Sequence, residues 1–106
     1  MADELYVIEG PGAAREGEIL NYAVLWSGAA AVSSGITYAY RNGTDVSATV
    51  LTGSDTITGQ TQLLKVLTIP VGYGGSRIVL EALAVVDGNT LKVGRSIKIL
   101  KPGEEG

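Results

Sequence analysis

No histidine, cysteine or phenylalanine occurs in this chain, and proline occurs only three times. The missing histidine removes the commonest general base and metal ligand at neutral pH. The missing cysteine removes thiol nucleophiles, thiolate metal sites and disulfide staples, so the fold needs no oxidising compartment. No Ser-x-x-Lys or Gly-x-Ser-x-Gly pattern offers an activated serine. The glycine stretch "GYGGSR" (72–77) resembles a phosphate cradle only superficially, because it lacks a Gly-Lys-Ser/Thr ending and runs into a strand pattern. It is expected to be a turn. These absences point away from catalysis and leave no cofactor or metal expected.

Positive charge is also scarce. Eight Lys and Arg against eleven Asp and Glu give a net charge of −3, with no basic run. Binding to nucleic acid or to an anionic membrane is not expected from that balance. No stretch approaches the roughly 18 uninterrupted apolar residues of a membrane helix. The start, "MADELYVIEG", has neither a basic region nor a long apolar stretch, so no signal peptide is expected and the chain reads as cytoplasmic. The sequon Asn42-Gly43-Thr44 is then an unglycosylated turn. Met1 and the short tail suit a complete small protein, although an excised domain would look the same.

What is present is strand chemistry. The 106 residues have room for one domain, and 45% apolar against 18% charged residues is a balance that folds. Fifteen glycines suit short strands joined by tight turns. Seven candidate strands follow in order: "ELYVIE" (4–9), "EILNYAVLW" (18–26), "ITYAYR" (36–41), "VSATVL" (46–51), "LLKVLTI" (63–69), "RIVLEALAVV" (77–86) and "LKVGRSIKIL" (91–100). "GPGAAREG" and "SGAAAVSSG" are expected as loops. Residues 1–100 form the domain, and "KPGEEG" (101–106) a solvated, frayed tail.

Register follows from which side chains share a face. Around Asn42-Gly43, a two-residue turn puts Tyr38 and Tyr40 with Asp45, Ser47 and Thr49. A three-residue loop, Arg41-Asn42-Gly43, instead groups Ile36, Tyr38, Tyr40, Val46, Ala48 and Val50 inside. The apolar split selects the longer loop. Around Asp87-Gly88-Asn89, either two-residue turn places Ile78, Leu80, Ala82, Ala84 and Val86 with Leu91, Val93, Ile97 and Ile99 on the core face. Arg95 falls among them. Its stem packing while its head escapes at the sheet margin is favoured over a buried pairing with a carboxylate.

Two outer faces are more apolar than a wet sheet face requires. Val79, Leu83 and Val85 share one with Glu81, Lys92, Ser96 and Lys98. Ile19, Ala23 and Leu25 lie on the other, opposite Leu20, Tyr22, Val24 and Trp26, which take core spacing. Clustered outer apolar residues mark an interface, so Val79, Leu83 and Val85 are the candidate contacts with a protein partner or a second copy. Tyr73, in its glycine loop, is the one ring expected to be exposed. With Asn42 it forms a candidate loop contact. The acids cluster near turns and termini, as Asp3, Glu4, Glu16, Glu18, Asp45, Asp55, Asp87, Glu104 and Glu105 do, which suits solubility and turn formation. Asp87 and Asn89 are expected to make local Asx hydrogen bonds, far short of a calcium cage.

Seven short strands with a tryptophan on an early one resemble an immunoglobulin-like or fibronectin-III-like sandwich without the disulfide. The stretches "YAVLWSG", "YAYRNGTDVSATVLTG" and "LEALAVVDGNTLKVGRSIKI" resemble small Ig-like proteins of the structural gene regions of tailed phages. The resemblance covers about half the chain. It implies an all-β, antiparallel Ig-like β-sandwich of about seven strands. It also implies a virion accessory part, such as a capsid decoration or head–tail component, that binds a capsid or tail protein. The competing expectation is a carbohydrate-binding or adhesive domain using Tyr73 and Asn42, and a third is a fibronectin-type spacer.

Overall fold

The computed structural model describes residues 6–104. Glu4 and Leu5 of the first expected strand, and the acids Asp3, Glu4 and Glu105, lie outside the described residues. Among the described residues the fold is all-β, with twelve strands and one helical turn. A five-stranded sheet runs β2 (Ala13–Arg15), β12 (Asn89–Leu100), β11 (Arg77–Val86), β5 (Val32–Arg41) and β6 (Thr44–Asp45). A four-stranded sheet runs β1 (Ile8–Glu9), β4 (Ala23–Leu25), β9 (Thr61–Leu63) and β8 (Thr56–Thr58). A three-stranded one runs β3 (Ile19–Leu20), β10 (Val66–Thr68) and β7 (Leu51–Thr52). Leu64 donates its N–H to the Tyr22 carbonyl at 3.0 Å, in the gap between β9 and β10 and between β3 and β4. Among the described residues every pairing is antiparallel except β2 with β12. Of the seven expected strands, 18–26 is split into β3 and β4 and 63–69 into β9 and β10, while 36–41 extends to Val32–Arg41 and 91–100 to Asn89–Leu100.

The long hairpin forms as its alternation dictates. β11 and β12 pair from Arg77↔Lys98 to Val86↔Asn89 around the turn Asp87-Gly88. Ile78, Leu80, Ala82, Ala84 and Val86 are buried with Ile97 and Ile99, while Leu91 and Val93 are half-buried against the same core. Tyr22, Val24 and Trp26 meet them from the opposite layer. Tyr6 tilts against Trp26 with ring centroids 4.9 Å apart. Each such side chain stabilises the fold by about 1.5–3 kcal/mol through the apolar surface it withdraws from water.

The short hairpin departs from the expected register. Tyr40 pairs with Asp45 and Arg41 with Thr44, so Asn42-Gly43 is a two-residue turn, with φ of 52° and 83°. The expected strand Val46–Leu51 is strand only at Leu51, where β7 begins. Ser47–Val50 is a helical turn that leads into β7. The cause is local side-chain chemistry. Asp45 Oδ1 accepts the Ser47 N–H at 2.8 Å, and Ser47 Oγ accepts the Ala39 N–H at 2.8 Å. That hydroxyl takes the place of the backbone acceptor that a continued strand would offer. Consequently Thr37 and Ala39 are the buried residues of β5, while Ile36, Tyr38 and Tyr40 point outward and are half-buried.

A buried polar cluster joins the two layers. Gln62, fully buried, accepts the Trp26 indole N–H at 3.0 Å. Its amide nitrogen donates to the Leu83 carbonyl at 3.2 Å and to Asp55 Oδ2 at 2.9 Å. The Thr37 hydroxyl donates to the same Asp55 oxygen. Gly35 lies against this amide: a Cβ there would come within 2.9 Å of Gln62 Nε2 and of Ile57 Cδ1. The β5 strand passes only because that position lacks a side chain. A bulge beside it, between Leu83 and Val85 of β11, takes Ser34 to φ 55°.

Both expected loops also carry structure. "GPGAAREG" contains β2, the parallel partner of Lys98–Leu100. "SGAAAVSSG" supplies the first four residues of β5. Asp87 does not bond locally: its Oδ1 accepts the N–H groups of Ala30 and Ala31 at 2.9 and 2.8 Å, tying the turn to the start of β5. Asn89 does make a local contact, donating to the Asp87 carbonyl at 3.5 Å. Residues 101–104 form a turn in which Glu104 Oε1 accepts the Lys101 N–H at 2.8 Å.

Candidate interaction face

The outer side of the five-stranded sheet is built by alternation on β5, β11 and β12. Across it run the rows Tyr40–Val79–Ser96, Tyr38–Glu81–Gly94 and Ile36–Leu83–Lys92, with Val85 opposite Ser33 and Thr90. Cross-strand neighbours in such rows have Cβ atoms about 4.5–5.5 Å apart, so the six large side chains form one continuous surface. Val79 is 41% exposed in the row with Tyr40, and half-buried Glu81 lies between Val79 and Leu83 on this face. Leu83 and Val85 are half-buried. Lys92 Nζ sits 4.0 Å from Glu81, and Arg77 donates to Ser96 Oγ at 3.1 Å, so one acid lies within the surface and cations line its β12 side. Partial desolvation, reinforced by the negative charges of Glu81 and Asp45, raises the Tyr40 hydroxyl above its ordinary value of 10.0 and keeps it a neutral hydrogen-bonding group.

Val79, Leu83 and Val85 are thus brought onto one face. The expected inward register hid the rest of it, Ile36, Tyr38 and Tyr40. The signal that could have found them is Asp45-Val46-Ser47, an Asx-turn pattern that stops β6 and forces the tight turn.

The two loop residues lie elsewhere. Asn42 is exposed at the tip of the short hairpin. Tyr73 is half-buried against the core, with the Arg41 guanidinium carbon 4.1 Å above its ring. Arg41 is held there by bonds to Ser76 Oγ at 3.1 Å and to the Gly72 carbonyl at 3.3 Å. One ring face is therefore occupied by a cation–π contact. "GYGGSR" is a turn, as Ser76 N–H to the Tyr73 carbonyl at 3.1 Å shows. Arg95 takes neither expected arrangement fully. Its half-buried guanidinium donates to the Ile8 carbonyl at 2.8 Å, a backbone partner instead of a carboxylate.

On the other layer, Val7, Leu25 and Leu63 are exposed beside Thr56, Thr58 and Thr61, and Ile19 is exposed on β3. That face carries no aromatic ring. Among the described residues no group of three or more acidic, histidine or cysteine side chains could hold a metal, and no helix is long and apolar enough to cross a membrane. No protein-family model and no curated protein sequence matches the chain.

Proposed function

We propose that this chain is a non-enzymatic interaction module that binds a protein surface through Ile36, Tyr38, Tyr40, Val79, Leu83 and Val85. The single observation carrying this reading is that two tyrosines and four aliphatic side chains converge on the outward side of the longest strands. Interfaces are enriched in such aromatic residues, framed by polar ones. The finer fold reading is an Ig-like sandwich. It is supported when β3 and β4, β7 and β8, and β9 and β10 are taken as single bent strands, which gives a layer β1-β4-β9-β8 against β2-β12-β11-β5-β6. The chain start contributing β1 to one layer and β2 to the other fits that reading. With the phage-like stretches of the sequence, the role proposed is a virion accessory part, a capsid decoration or head–tail component. A glycan platform is the alternative, and it now rests on Tyr38 and Tyr40 in place of Tyr73.

Size-exclusion chromatography with light scattering tests the face directly, using the native chain and the pair Val79→Asp and Tyr40→Glu. A native oligomer that both variants reduce to monomer supports a symmetric contact. A native monomer at high concentration removes self-association, leaving co-sedimentation with capsid or tail assemblies as the test of a different partner. Glycan-array binding lost on Tyr38→Ala would favour the alternative.

A further inference from the structure

β12 is paired along only part of its outer edge. β2 takes Lys98, Ile99 and Leu100, and Lys98 donates its N–H to the Gly12 carbonyl at 3.1 Å. Hydrogen-bonding groups alternate along a strand, so Thr90, Lys92, Gly94 and Ser96 turn their N–H and C=O to that same side. No strand pairs with them there among the described residues. The open stretch is about 20 Å long.

Beside it lies a cleft of about 490 Å³ lined by Val7, Ile8, Glu9, Gly10, Gly94 and Arg95. Gly94 adds nothing to its rim: a Cβ there would meet only the Leu80 carbonyl, at 3.6 Å. Charge identifies the occupant. β12 carries Lys92, Arg95 and Lys98 and no acid. Lys98 is paired with Glu104 at 3.4 Å and Lys92 touches Glu81 at 4.0 Å, but Arg95 has no ion pair among the described residues. A second copy docking its own β12 would bring the same three cations face to face, which disfavours edge-to-edge pairing. An acidic strand meets the opposite balance.

We propose that the open edge of β12 takes an extended acidic segment of a partner protein as an added strand. Its backbone bonds to Thr90, Lys92, Gly94 and Ser96, its carboxylates lie on the Lys92 face, and the alternate, apolar side chains turn to the opposite face, toward the cleft against Val7 and Ile8. This edge borders the tyrosine face and shares the side chains of Lys92 and Ser96 with it, but its bonds come from backbone groups, so Tyr40→Glu leaves peptide binding in place.

The experiment is amide exchange by NMR on the whole chain, titrated with a blocked octapeptide of alternating Glu and Val. A Lys-Val octapeptide serves as control. The expected result is saturable binding that slows exchange at the four edge amides about tenfold or more, with no binding of the control. Gly94→Pro removes the central edge N–H and abolishes binding. Should that variant lose the near-UV signal of Trp26, Lys92→Glu, an exposed change, still decides by weakening binding about fivefold. Unchanged exchange at all four amides overturns the proposal, as does equal binding of the Lys-Val peptide. Protection that appears without peptide and grows with protein concentration also overturns it, by assigning the edge to a second copy.

Discussion

The two hairpins of the five-stranded sheet share one turn and differ in everything after it. Asn42-Gly43 has φ of 52° and 83°, and Asp87-Gly88 has 51° and 83°, both the mirror-image geometry that matches strand twist. Yet β11 and β12 continue for ten residue pairs, whereas β5 and β6 stop after two. The turn fixes the first pair and no more. Downstream, Thr90 to Leu100 keep alternating and the ladder grows, while Asp45 and Ser47 offer their own acceptors to the backbone and end it.

The hardest break to this comparison is in the long hairpin. Leu80→Ala empties a fully buried site and is expected to cost about 3 kcal/mol, read as a lower urea midpoint. Next comes the stop signal of the short one. Ser47→Ala orphans the buried Ala39 N–H and costs about 1.5 kcal/mol, with faster exchange at Ala39. If Ala39 exchange is unchanged, the hydroxyl is not what ends β6. Smaller still, Gly43→Ala and Gly88→Ala should each cost about 1 kcal/mol, because both need a left-handed backbone. Unequal losses would show that the turns are not equivalent.

The smallest effect is on pH. Hydrogen bonding from Ser47, through its hydroxyl and then its backbone N–H, holds the Asp45 carboxyl below its ordinary 3.8. A lowered folded value favours the ionised fold. That contribution is full above about pH 3.8 and drains away as pH falls through the lower folded value. Asp45→Asn should flatten this part of the acid unfolding curve.

The same contrast explains how much of the fold was legible. Where apolar residues alternate without a local competitor, as from Ile78 to Val86, periodicity names the core residue by residue. Tyr22, Val24 and Trp26 obey the same rule. On β5 the rule misleads, because Thr37 and Ala39 are small and pass for surface while Tyr38 and Tyr40 are bulky and pass for core. Thr37 is buried because its hydroxyl finds Asp55, a partner far along the chain that no local pattern reveals. β2 is invisible for a similar reason: Ala13–Arg15 lacks strand-forming side chains and takes its strand partner from β12, far along the chain. Of the candidate face, Val79, Leu83 and Val85 were readable, and Ile36, Tyr38 and Tyr40 required the register.

The parallel contact of Ala13–Arg15 with Lys98–Leu100 has a mechanical meaning. Tension drawn from the two ends of the domain pulls these neighbours along their own length in opposite directions, so their bonds are loaded in shear and give way together. An antiparallel pair in that place would peel open one bond at a time. Once the short β1–β4 contact has yielded, a module anchored at both ends therefore resists stretching at this contact, and Ala14→Pro, which deletes a ladder donor there, should lower the rupture force measured by single-molecule pulling.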